Sequence, residues 1–368
     1  MSHTLFLAAV AILCSFASEA GGAEIADGRL VINGAGGAAY AITGHNDLQG
    51  SSLEGNPAGN FRNVEFNLTL AAKISPRITI ATQLFFDEIG APEAGVDWTF
   101  VELRLANWLK VRAGKVKLPL GISNEFEAVG TLRPFYSLPD TVYGPTTIST
   151  ESYYGAGLTG ELFAGPGWTL DYDLYGGQTT VTTLEPYFRL TVPLVPGTVI
   201  ALDKDNVRGL FGGRLIVGTP IDGLSLRVSG YRGALDDATM VAAMLSVEYA
   251  GDRWLVRAEV FRAAEATMNH GGYLEVARYL TSQIQVAAQV QGMRSHAPGV
   301  PDGSSLLWHA SASLGLNYWF SPGMVVKAAV SELQGNRLAF PRLLDDALLS
   351  GSLSKSTPLF TLGTQFSF

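Results

Sequence analysis

Residues 357–368, TPLFTLGTQFSF, place Pro358, Phe360, Leu362, Phe366 and Phe368 on one side of an extended chain and Thr361, Gln365 and Ser367 on the other. Successive side chains of a strand point to opposite faces, so this segment has one aromatic-rich apolar face and one hydrophilic face. A strand that separates hydrocarbon from a watery lumen needs this pattern. Strands of soluble sandwiches alternate too, and the weight lies in how often the pattern recurs.

Moving toward the N-terminus, Ala310, Ala312, Leu314, Leu316 and Tyr318 alternate with His309, Ser311, Ser313 and Asn317. Ile284, Val286, Ala288 and Val290 alternate with Gln283, Gln285, Gln289 and Gln291. Trp168, Leu170, Tyr172 and Leu174 do so with Thr169, Asp171 and Asp173, and Val64, Phe66, Leu68, Leu70 and Ala72 with Asn63, Glu65, Asn67 and Thr69. Ser75 and Pro76 then turn the chain into Ile78, Ile80, Thr82, Leu84 and Phe86. About sixteen such segments can be followed along the chain. Trp and Tyr near strand ends suit an interfacial girdle, which makes the apolar face the outer one.

The connections supply a second, independent signal. Tight links fall at 74–76, 107–108, 165–167, 219–223, 251–252, 281 and 321–323, and longer polar stretches at 44–60, 87–95, 117–150, 177–206, 294–304 and 333–356. Short and long connections in alternation describe an up-and-down barrel with turns at one end and loops at the other. The expected fold is therefore all-β, a transmembrane antiparallel barrel of about sixteen strands. A single domain over 24–368 is expected, since no linker or charge block divides the chain. The Gly34, Gly36 and Gly37 cluster reads as crowded small residues of the first strand, because a phosphate-cradling loop would need a following helix and Lys.

Composition agrees. Hydrophobic residues are 47% of the chain and charged residues 16%, with 42 glycines and 18 phenylalanines. No apolar run beyond the N-terminus is long enough for a helical span. The run Leu5–Ala17, followed by Ser18 and Ala20, reads as a secretory signal, so residues 1–23 are expected to be removed, with a cut after Ala20 or Ala23. Cys14 lies within it, and cleavage leaves no cysteine for disulfides, thiolate metal sites or thiol catalysis. A net charge of −8 without basic clusters argues against nucleic acid as a partner.

Residues 109–143, LKVRAGKVKLPLGISNEFEAVGTLRPFYSLPDTVY, carry a family likeness. Gly114, Lys115, Lys117, Pro119, Gly121, Asn124, Glu125, Val129, Arg133, Pro134, Leu138, Pro139 and Tyr143 resemble a motif of proteobacterial outer-membrane porins. Glu127 and Ala128 depart from it, where the pattern has an Arg and an acidic residue. The resemblance implies an outer-membrane location, a third external loop folded inward as a constriction, a homotrimer, and recognition of terminal Phe368 by the barrel assembly machinery. The residues support the loop independently. The stretch 117–150 far exceeds a hairpin loop, Pro119, Pro134, Pro139 and Pro145 stiffen it, and Phe126, Phe135 and Tyr136 can pack against a wall.

Strict alternation turns Arg77, Arg104, Lys110, Arg112, Arg208, Arg214, Arg227, Arg257 and Lys327 inward, with Glu65, Glu102, Glu161, Asp171, Asp173, Glu248 and Glu259. Charges bias ion passage most where a channel is narrow. The expected pore-lining set is Arg104, Lys110, Arg112, Lys115, Lys117, Glu102, Glu125, Glu127, Arg133 and Asp140, with basic Arg104, Lys110 and Arg112 facing acidic Glu125 and Glu127. The chemistry implied is passive diffusion of small hydrophilic solutes or ions, with no cofactor. A transporter for a specific or hydrophobic substrate would want an N-terminal plug, and few residues precede Arg29. A barrel enzyme would need a nucleophile and base in contact. His309 with Ser311 and Ser313 is the one stripe that offers them, while Asp171 and Asp173 lack a surrounding pocket. A secreted soluble β-sandwich is the remaining rival, distinguished by needing no detergent.

Overall fold

The structure, a computed structural model, describes residues 22–25, 27–50, 53–88, 92–144, 147, 151–183, 203–235, 238–264, 268–296, 303–338 and 353–368. Residues 1–21 of the expected signal segment and the stretches 184–202 and 339–352 fall outside this set. Sixteen long strands form the wall: β1 (Leu30–Thr43), β2 (Asn60–Ser75), β3 (Ile78–Asp87), β4 (Glu93–Ala106), β5 (Leu109–Lys117), β6 (Ser152–Gly165), β7 (Trp168–Thr183) and β8 (Asp203–Gly218), then β9 (Leu224–Leu235), β10 (Ala238–Ala250), β11 (Trp254–Ala264), β12 (Met268–Tyr279), β13 (Ile284–His296), β14 (Trp308–Ser321), β15 (Met324–Gln334) and β16 (Ser356–Ser367).

Each strand pairs antiparallel with its neighbours in sequence, and β16 pairs with β1 to close the ring. Closure leaves no open edge, so the ladder satisfies the backbone without help from water. At the seam Gly34 and Phe368 exchange two backbone hydrogen bonds of 2.9 Å. The glycine-rich first strand is crowded there, since a Cβ on Gly34 would lie 2.3 Å from the Phe368 ring. Below the seam a short strand, Ala23–Ile25, pairs with Leu30–Ile32.

The alternation sorts as expected. Val101, Leu158, Leu174, Leu215, Val228, Leu245, Val260, Leu274, Val290, Leu314 and Val330 are all exposed on the outside. Trp108, Trp168, Trp254, Tyr318 and Phe320 ring the end that carries the tight turns. An exterior of this kind is stable only in hydrocarbon. The barrel spans a membrane with strands; among the described residues no helix is long and apolar enough to do so.

Two details depart from the sequence reading. Only two residues separate Leu235 from Ala238 and three separate Ala264 from Met268, so these connections are shorter than the other links at the loop end. Conversely, β7 and β8 run on to Thr183 and from Asp203, well into the stretch read as loop. The interior also differs around the ring. Between β6 and β13 the wall turns Tyr153, Tyr175, Tyr231, Met244, Phe261 and Tyr273 inward against Leu118, Leu120, Leu138 and Val142, which makes a packed apolar core inside the barrel.

Candidate functional site

The chain leaves β5 at Lys117 and turns into the barrel, where Leu118, Leu120 and Ile122 are at most 2% exposed. Gly121 makes the turn possible. Its φ is +61°, and an added Cβ would sit 2.5–2.6 Å from the Met244 sulfur, a Glu259 carboxylate oxygen and the Tyr143 hydroxyl, so only glycine fits. The buried Glu259 carboxylate on β11 is the first anchor. It accepts hydrogen bonds from the Ile122 N–H (2.8 Å), Ser246 Oγ (2.6 Å), Tyr143 OH (2.5 Å) and Tyr273 OH (2.9 Å). The Tyr143 oxygen in turn accepts from the N–H groups of Ile122 and Ser123. A carboxylate so far from water is tolerable only with this many donors.

The second anchor is a cation. Lys327 on β15 is 2% exposed, and its ammonium donates to the carbonyls of Gly130 (2.8 Å), Arg133 (2.5 Å) and Phe135 (3.2 Å) and to Gln365 Oε1 (2.6 Å). Gln365 passes its own amide protons to Glu65 and to the Tyr136 carbonyl. Around it Arg133 pairs with Glu65 at 3.1 Å, Asn317 donates to the Pro134 carbonyl at 2.8 Å, and Tyr136 OH donates to the Asn63 carbonyl at 3.0 Å. The wall is hollowed to take the rings: a Cβ on Gly363 would lie 2.6 Å from Tyr136, and one on Gly315 3.1 Å from Phe135. The helical turn Asp140–Tyr143 completes the loop, with the Thr141 N–H donating to Gln291 at 3.0 Å.

The charges expected to line the pore are brought together in other combinations than the sequence reading drew. Arg112 pairs with Glu102 on the adjacent strand at 2.8 Å and stacks 5.3 Å from the Phe100 ring centre, so it does not face the acidic loop. Glu125 pairs with Arg214 of β8, which also holds Asp173 at 2.8 Å. Glu127 lies 3.6 Å from Lys117, whose closer partner is Asp97 at 3.2 Å. Burial pushes the Glu127 carboxyl up to about 7, against the pull of Lys117. Arg133 donates to the Glu127 carbonyl as well as to Glu65. Asp140 borders a small niche with Leu53, Tyr136, Gln291 and Ser311.

Arg104 and Lys110 stand opposite each other in register at the turn end, distant along the strands from Lys117, where the loop begins. Lys115 is placed on the outer face. Its register partners Thr99 and Tyr154 are exposed there, and its ammonium reaches the Val96 carbonyl and lies 5.8 Å from the Tyr154 ring centre, as a lysine snorkelling along an interfacial aromatic does. Alternation from Arg112 gives the same answer, since the odd positions Val111 and Ala113 face out. On the remaining interior, Arg227 and Arg257 share Glu248, and Arg257 donates to the Leu132 carbonyl of the loop.

A cavity of about 410 Å³ lies between loop and wall, lined by Asn33, Asn67, Thr69, Gln83 and Trp98 from β1–β4 and by Glu125 and Val129 from the loop, among others. The lining also includes Gly34, Ala35, Ala128 and Phe368 and therefore mixes amide and hydroxyl groups and one paired carboxylate with apolar side chains. Gln83 bridges Asp97 (2.9 Å) and the Trp98 N–H (3.1 Å), which fixes the side chains that border the opening. Alternation had turned Glu259 and Lys327 inward, but nothing in sequence spacing tied either to a loop more than a hundred residues away. His309 is buried with its Nε2 unpartnered among the described residues, while Ser313 bonds Ser331 at 2.7 Å instead.

No family model and no curated protein matches this sequence. Solved structures do match over nearly the whole chain. OmpF of Salmonella typhi, in complex with daunomycin, superposes with a TM-score of 0.58 at 11% identity over 94% of this chain and 100% of its own. The fold is that of the outer-membrane porins. An anion-selective porin from Comamonas acidovorans gives 0.55 at 10% identity over 92% and 99% of the two chains. OmpT of Vibrio cholerae in its trimer form, an outer membrane protein, gives 0.52 at 11% over 92% and 99%.

Proposed function

We propose that this protein is a porin of a bacterial outer membrane, through which small hydrophilic solutes and ions diffuse down their gradients. The observation that supports the reading is a cavity bordered by amide and hydroxyl side chains beside a loop tied to both sides of the lumen. Permeation needs a wet route and a fixed narrow point, and no turnover chemistry. A homotrimer fits a porin fold, and one matched structure is a trimer form.

The ion preference of such a pore is weak. Arg112, Lys117, Arg133, Arg214, Arg227 and Arg257 all meet carboxylates, and paired charges focus little field into the channel. Arg104 and Lys110 carry the basic charge at the turn-end mouth. In a planar bilayer the purified protein gives steady single-channel conductance, with a small reversal potential in a salt gradient. Neutralising Arg104, Lys110 and Arg112 together shifts that potential toward cations, partly by releasing Glu102. A preparation that incorporates and carries no current ends the reading, and an unchanged potential removes these three residues from the filter.

A further inference from the structure

The lumen is not charged evenly around its wall. Inward positions of β8–β12 carry Arg214, Arg227, Glu248, Arg257, Glu259 and Glu275. On β13–β16 Lys327 is the one inward Lys, Arg, Asp or Glu among the described residues, and the loop already occupies it. Toward the loop end from Lys327, these four strands contribute Gln289, Gln291, Ser311, Ser313, Ser331 and Thr361 to a niche of about 40 Å³. Phe135, Tyr136, Ser137 and Asp140 border it from the constriction loop, and Leu53, Ala329, Leu333 and Leu359 complete the lining. Leu333 and Leu359 stand near the loop ends of β15 and β16, so a solute arriving from outside meets the niche before the narrow point.

The polar groups of the niche are oriented but keep capacity for a ligand. Ser331 and Ser313 share a hydrogen bond of 2.7 Å. Gln289 donates to Glu275 at 2.9 Å, Gln291 donates to Gln289 at 3.3 Å, and the Gln291 carbonyl accepts from the Thr141 N–H. An amide or hydroxyl in such a chain retains at least one further donor or lone pair. The hydroxyls of Ser311 and Thr361 have no partner among the described residues, and neither oxygen is sealed from solvent. Hydrogen-bonding groups and carbon surface thus meet at one small concavity.

We infer that this niche is a subsite for the hydroxyl-bearing edge of a neutral sugar or sugar alcohol. Such molecules carry hydroxyls around the edge and carbon on the faces, and amides and hydroxyls set beside aromatic rings and leucines match both. A water needs about 10–15 Å³ of such space, so the niche holds about three waters and takes an edge, not a whole ring. Ligand hydroxyls that displace those waters reproduce their hydrogen bonds. A bare ion would lose hydration there, with Asp140 the one full charge on the lining. The subsite rests on the porin reading for its part in uptake, whereas binding to it is measured without current.

The test is saturation-transfer NMR on the detergent-solubilised full-length protein. The probes are glucose and triethylene glycol dimethyl ether, which is neutral and of similar size but has no hydroxyl. With wild type, glucose gives a signal that saturates at millimolar concentration and the ether gives none that saturates, a comparison that needs no variant. In Ser311→Ala/Thr361→Val the half-saturating glucose concentration rises roughly tenfold, as the loss of one or two neutral hydrogen bonds predicts. Ser225→Ala, which removes an inward hydroxyl at the turn end of β9, leaves it unchanged. Equal signals from the two probes, or an unshifted curve in the double variant, overturn the assignment. So does displacement of glucose by an equal concentration of calcium chloride, which would give the niche to a cation held through Asp140. Salt conductance tests the porin reading apart from this. A conducting channel without saturable glucose binding removes the subsite alone, and a protein that binds glucose but carries no current keeps the subsite and loses the pore.

Discussion

The loop meets the two sides of the lumen by opposite means. Toward β11 it is held by an anion, Glu259, which takes two donors from the loop and two from the wall, inside an apolar core. Toward β15 it is held by a cation, Lys327, whose three N–H groups are shared among three loop carbonyls and Gln365 Oε1. The difference is one of dependence. With the loop withdrawn, Glu259 would keep Ser246 and Tyr273, while Lys327 would keep Gln365 alone. The first anchor is a preformed socket, and the second exists only when the loop is in place.

That asymmetry breaks most visibly at Lys327. In Lys327→Met the volume is nearly kept but three buried carbonyls lose their donor, each at a cost of about 1–3 kcal/mol. Single-channel conductance should rise and the loop become open to protease near Gly130. Wild-type conductance with full protection would show that the apolar core alone holds the loop. Glu259→Gln tests the other side with a smaller expected effect. The amide can still accept from the Ile122 N–H and Ser246, and the Tyr273 hydroxyl can turn to accept from its NH₂, while Tyr143, whose oxygen already accepts two backbone N–H groups, loses its acceptor. Current noise should increase with little change in mean conductance. A loss as large as that of Lys327→Met would make the two anchors equivalent.

The smallest effect is one of pH. Glu127 titrates near 7 in the folded loop against an ordinary value of 4.5. Its carboxyl is therefore neutral below about 7, and the docked loop holds a proton that a released loop would already have lost. Docking loses stability as pH rises from 4.5 to about 7 and levels off above. Reversal potential should drift toward cations as pH passes 7, and Glu127→Gln should abolish the drift. A drift that survives that substitution belongs to another group.

The wall was legible in the sequence and the tether was not. Period-2 alternation reports a membrane on one side and water on the other, so strands such as 64–72 and 310–318 could be read at sight. The short link at Asp236 and Asp237 escaped because two residues give little signal between apolar strands. Inside the barrel the rule weakens. Tyr153, Tyr231 and Phe261 face inward, and a period of two does not say which face is wet. Glu259 and Lys327 look like any other inward charges until the fold brings Ile122 and Gly130 to them. Lys115 went astray in the opposite way: it was expected among the pore-lining residues, while plain alternation from Arg112 puts it outside.

Gly315 and Gly363 leave hollows in the staves just where Phe135 and Tyr136 lie. The bore of the channel is accordingly set by side chains that are missing as much as by those present. Enlarging either glycine would push the rings toward the axis without altering a single loop residue, so the aperture can be retuned from the casing alone.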